Sequence, residues 1–91
     1  EFMFAINGAK EIQEFKAGEI KTYNVVSRGI ANVGVISQPA GWQVTLLEDK
    51  LIITAPEVVV KATADTETDI SVLAVAHSGH SVLSKVRVKV K

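Results

Sequence analysis

The chain has 91 residues, 47% of them hydrophobic, with ten Lys or Arg balanced by ten Asp or Glu, so its formal net charge is zero. That length holds one core and not two, and a neutral chain lacks the long-range positive field of nucleic-acid and anionic-membrane binders. Cysteine is absent, which excludes a disulfide framework and a thiolate metal site.

No apolar run approaches the length of a membrane span. The first residues, Glu1-Phe2-Met3-Phe4, carry no basic lead of a signal peptide. With Met3 inside the chain, we expect residues 1–91 to be a single domain excised from a longer protein. Turn-forming Gly, Pro, Asn, Ser and Asp recur about every 8–12 residues between β-branched runs, and no long segment has helical periodicity; the expectation is an all-β antiparallel sandwich of about seven strands.

Phe2 to Ile6 reads as the first strand, closed by Asn7-Gly8, both of which tolerate positive φ. Lys10 to Phe15 fits either a short edge strand or one helical turn. After Ala17-Gly18, Ile20 to Ser27 is a strand with Tyr23 and Val25 on one face and Thr22 and Asn24 on the other. Arg28-Gly29 ends it, and Ala31 to Ser37 follows. Pro39 and Pro56, which cannot donate to a ladder, bracket a hairpin whose tip is Glu48-Asp49. In that hairpin Trp42, Val44 and Leu46 lie opposite Ala55, Ile53 and Leu51, so one face is wholly apolar and needs a second layer to cover it.

Residues 57 to 67 are hardest to read; Val58 to Val60 fit a short strand or an inward loop. Asp69 to His77 and Ser81 to Val90 form a second hairpin, and Val86, Val88 and Val90 alternate with Lys85, Arg87, Lys89 and Lys91. A two-residue loop pairs His77 with His80. A three-residue loop with Gly79 in the left-handed conformation pairs Ala76 with His80 and sets Ile70, Val72 and Ala74 over Val86, Ser84 and Val82. The second is preferred, because glycine stands where that loop requires it.

The polar clusters are weak as sites. His77 and His80 lack the third and fourth ligands that zinc requires, and read as solvated turn residues. Asp65, Glu67 and Asp69 resemble the start of a helical calcium loop, but its sixth and twelfth positions are Ile70 and Ala76. The basic row of the last strand has no aromatic platforms beside it and reads as a guard against edge pairing. No metal or cofactor is expected. Glu48 and Asp49 have nothing at a hairpin tip to raise either pKa, and no glycine-flanked nucleophile occurs, so the chain is not expected to be an enzyme. Trp42 and Tyr23 are the two candidate ligand-binding residues, through ring stacking on a sugar. The competing reading places both in the core, and is preferred.

The run QPAGWQVTLLEDKLIITAP, followed by DISVLAVAHSGHSVLSKVRVKV, resembles the immunoglobulin-like modules, akin to BACON domains, of gut Gram-negative surface proteins. The resemblance implies a seven-stranded immunoglobulin-like sandwich, displayed on the cell surface or in the periplasm and tethered through a longer chain. Trp42 does not occupy the antibody tryptophan position and no cysteine pair joins the sheets. The functional expectation is a monomeric, non-catalytic spacer or interaction module, whose partners are neighbouring domains. A carbohydrate-binding module is the first alternative. An adhesive module pairing through the Phe2 to Ile6 edge is the second.

Overall fold

The computed structural model describes residues 1–57 and 67–91. Among these residues there are eight strands: β1 (Met3–Ile6), β2 (Gln13–Phe15), β3 (Ile20–Arg28), β4 (Ile30–Ser37), β5 (Gln43–Leu46), β6 (Lys50–Thr54), β7 (Thr68–Ala76) and β8 (Ser81–Val90). They form two four-stranded sheets, ordered β1-β3-β6-β5 and β2-β8-β7-β4. Every pairing is antiparallel except β2 with β8, which is parallel. No helix occurs among the described residues. The strand beyond the expected seven is β2, where Phe15 at 1% exposure seats its ring in the core and Gln13–Phe15 align with Val88–Val90. Burial of one aromatic thus decides Lys10 to Phe15 in favour of the strand. Val58 to Val60, which fit either a short strand or an inward loop, lie outside the described residues, as does Asp65.

The core is built by period-two alternation. Tyr23 and Val25 of β3, with Leu51 and Ile53 of β6, project from the first sheet; Ile70, Val72 and Ala74 of β7, with Val86, Val88 and Val90 of β8, project from the second. The proline-bracketed hairpin forms in the expected register, with Leu46 opposite Leu51 and Val44 opposite Ile53. Its tip closes with the Leu47 amide donating to the Lys50 carbonyl at 2.8 Å.

The β7–β8 hairpin uses the three-residue loop. Ile70, Val72 and Ala74 pair with Val86, Ser84 and Val82, the Ala76 amide donates to the His80 carbonyl at 2.7 Å, and Gly79 has φ +93°. This register sends the valines of β8 inward and its charges outward, because a shift of one residue would exchange the two faces.

The basic row needs a correction. β8 lies inside its sheet, flanked by β7 and, over Val88–Val90, by β2. Lys89 and Lys91 therefore guard no open edge; they meet Glu14 of β2 at 3.4 and 3.0 Å. Only the stretch carrying Lys85 and Arg87 runs beyond the end of β2. Sequence alternation reports which face a side chain takes, and not which strand lies alongside.

Gly29 joins β3 to β4 at φ +68°, and a Cβ there would stand 2.8 Å from the Glu1 carbonyl oxygen. Gly29→Ala therefore combines left-handed strain with a backbone clash, and we expect a loss of about 1–3 kcal/mol in urea unfolding. Gly8→Ala, where nothing lies within 4 Å, has only the strain and should lose less.

Candidate functional site

Both aromatic candidates lie inside the sandwich. Trp42 is 6% exposed and meets Phe15 edge-on, with ring centroids 5.0 Å apart. Its placement follows from the turn before β5, where the Trp42 amide bonds the Pro39 carbonyl at 3.2 Å and Gln38 Nε2 donates to the Trp42 carbonyl at 2.9 Å. Tyr23 is 7% exposed, and its hydroxyl donates to Gln13 Oε1 at 2.9 Å, joining β3 of one sheet to β2 of the other. The stacking role weighed for these rings requires an open face. Neither ring offers one.

Burial of the phenol, aided by the Glu19 carboxylate, pushes the Tyr23 pKa up to about 12. Folding thus favours the neutral phenol over the pH range between the ordinary tyrosine value of about 10 and this raised one. The stability that Tyr23 contributes is complete below pH ~10 and is lost as pH rises through its raised value. An absorbance titration of phenolate should accordingly show no tyrosine ionisation near pH 10 in the folded chain. A midpoint there would mean that the hydroxyl is solvated.

The histidines occupy the exposed β7–β8 turn. His80 stacks on Phe2 with centroids 5.7 Å apart, and its Nδ1 lies 2.9 Å from Ser78 Oγ, so its contacts are to the amino-terminal segment and the turn. Glu67 and Asp69 face Arg87 at 3.7 and 3.3 Å, which gives these carboxylates a cationic partner on the sheet surface. Among the described residues no group of three or more His, Cys, Asp or Glu is placed to hold a metal ion. Glu14 sits between Lys91 and Lys89; hydrogen bonding and charge from Lys91, then Lys89, lower its pKa, and Glu14 in turn raises that of Lys91. The Glu14 contribution is present above the ordinary carboxylate range and lost as pH falls through the lowered value.

What remains is the outer face of the second sheet, which is divided along its strands. At one end stand the ion-paired side chains of Glu14, Lys89, Arg87 and Asp69. At the other, Leu83 and Leu73 lie side by side across β8 and β7, and the next residue in the row, on β4, is Gly34. Val75 sits one row further, opposite Asn32 and Ser81. Leu83 is 50% exposed, and Gly34 has no side chain to cover the flank of Leu73. The sequence holds this signal in Leu73, Val75 and Leu83, but the outer row emerges only once three strands are aligned. The outer face of the first sheet is mixed: Thr22, Asn24, Gln43, Thr45 and Thr54 stand beside Ile52, Ile20 at 63% exposure and Val26 at 39%.

Two sheets closed over one core, with a strand that leaves the first sheet (β1) for the second (β2), make this an immunoglobulin-like β-sandwich. Among solved structures it is similar to the BIgI domain of beta protein from S. agalactiae bound to CEACAM1, at 11% identity and a TM-score of 0.57, covering 100% of this chain and 97% of that chain. At that identity the likeness is one of fold. No family model and no curated protein matches the chain.

Proposed function

We propose that this domain is a non-catalytic spacer and protein-interaction module of a bacterial cell-surface or secreted protein, and that partners or neighbouring domains meet it on the outer face of the second sheet. The observation that carries the reading is the row Leu83, Leu73 and Gly34, an apolar and nearly flat centre with a charged border in Lys85 and Arg87. This is the anatomy of a protein interface, with an apolar middle and a polar rim. The similar domain from S. agalactiae, bound to CEACAM1, is one case of the architecture in a protein–protein contact. Carbohydrate binding is the weaker reading, since sugar platforms are exposed rings and those of Trp42 and Tyr23 are enclosed. The resemblance of the sequence to BACON-type surface modules is a further ground for the extracellular part of the proposal.

The test is an epitope placed in the Asn7-Gly8 turn of the native gene product, followed by labelling of intact cells with a non-permeant antibody. Labelling before lysis supports surface display; labelling only after lysis overturns it. Replacing residues 1–91 by an unrelated sandwich of equal length then separates the two roles. Retained activity of the parent protein means a spacer. Loss that is reproduced by Leu73→Lys with Leu83→Lys means an interaction face.

A further inference from the structure

On one side of the sandwich both edge strands are uncharged, with Glu48 of the β5–β6 tip as the charged residue lining the groove between them. β4 (IANVGVIS) is an edge strand of eight residues without a charge or a proline. β5 (QVTL), the edge of the first sheet, lies next to it and is also uncharged. The far side carries Lys10, Glu11, Glu14 and Lys16 around β2. Natural sheets protect long edges with charge, proline, bulges or brevity; β1, β2 and β5 are short, whereas β4 is long, uncharged and free of proline, with only two irregularities to interrupt it. Its departures from regular pairing, at Ala31 and Ile36, fall near its ends and leave Asn32 to Val35 in continuous register with β7. Ile36 is 58% exposed and Val33 37%, and Leu47 beside the groove between the two edges is 50% exposed.

We propose that the β4 edge pairs with β4 of a second copy of the same chain, antiparallel about a two-fold axis perpendicular to the sheet. Such pairing joins two four-stranded sheets into one of eight, and gives the outward backbone groups of β4, which have no backbone partner among the described residues, the hydrogen bonds that a strand edge lacks. A second copy is the occupant that fits this edge. An uncharged strand meets its own copy with no like-charge repulsion, and an antiparallel strand is self-complementary about a two-fold axis. The size also fits. Pairing along all eight residues, about 27 Å, by a sandwich 18 Å thick, gives at most roughly 1,000 Å² buried over both copies, the lower bound for a specific contact. The dimer therefore belongs with the weak, transient class of contacts. It departs from the monomer expected from sequence, and uses β4 where the sequence pointed to Phe2 to Ile6.

Sedimentation equilibrium of the 91-residue chain from low micromolar to millimolar concentration should show the mean mass rising from one chain towards two. Ile36→Lys, which sets like charges near the junction, should raise the dissociation constant at least about tenfold, while Met3→Lys on the opposite edge leaves it within about twofold. Amide exchange on the unaltered chain gives a readout that needs no variant: Ala31 to Ile36 should gain protection with concentration, and Met3 to Ile6 should not. A single-chain mass throughout overturns the proposal. So does mass that climbs past two chains, a dimer lost on Met3→Lys alone, or β4 amides whose exchange is independent of concentration.

Discussion

Trp42→Ala is expected to destabilise the domain by about 3–5 kcal/mol, the range for removing a large buried aromatic. At 6% exposure the indole fills the end of the core, and the edge-on contact with Phe15 ties the start of β5 in one sheet to β2 in the other. Alanine leaves a cavity that rigid strands on both sides cannot close. In a domain of this size each kcal/mol lowers the melting temperature by about 4–8 °C, so thermal unfolding followed by circular dichroism reads the effect directly. Leu83→Ala, on the half-exposed outer row, is the control, with an expected change within about 0.5 kcal/mol. Near-native melting of Trp42→Ala would refute the core placement. A double-mutant cycle with Phe15→Ala should return a coupling of about 0.5–1.5 kcal/mol for the ring pair.

Val88→Asp is expected to abolish folding. Val88 is fully buried and lies between Gln13 of β2 and Thr68 of β7. An aspartate there must either ionise without a partner or protonate in an apolar site, at a cost of several kcal/mol. Small domains have about 5–15 kcal/mol in total, and this one, with a single core, has little to spare. Arg87→Ser, one position away, faces solvent and removes only surface ion pairs to Glu67 and Asp69, each worth about 0–1 kcal/mol. Amide dispersion in a proton–nitrogen spectrum distinguishes the two. A dispersed spectrum for Val88→Asp would mean that β8 has slipped by one residue or bends away from the core.

This contrast between neighbours on one strand is the clearest example of what local sequence carries. Alternation along Lys85 to Lys91 states the two faces outright, and Gly79 states the loop length, since a three-residue hairpin needs its left-handed residue there. The hairpin around Glu48-Asp49 is equally local, because two short strands and a tight turn fix their own register. Burial of Trp42 followed from an indole at the head of an apolar strand. The charged end of the outer face was less legible: Glu14, Lys89 and Lys91 meet only because β2 runs parallel to β8, a pairing between residues some 75 positions apart in the chain.

By itself, then, the sequence determined the layered all-β class, the inward residues of most strands and the geometry of both hairpins, since each is written in periods of two and in residues suited to particular turns. The tertiary structure alone decided that β8 is interior, that Tyr23 bonds Gln13 across the sheets, that Leu83, Leu73 and Gly34 form one row, and that β4 is a long edge strand among the described residues. These depend on which strands become neighbours. That choice is made by burying the summed apolar faces of distant segments against the entropy of closing the loops between them, and no single stretch of chain records it.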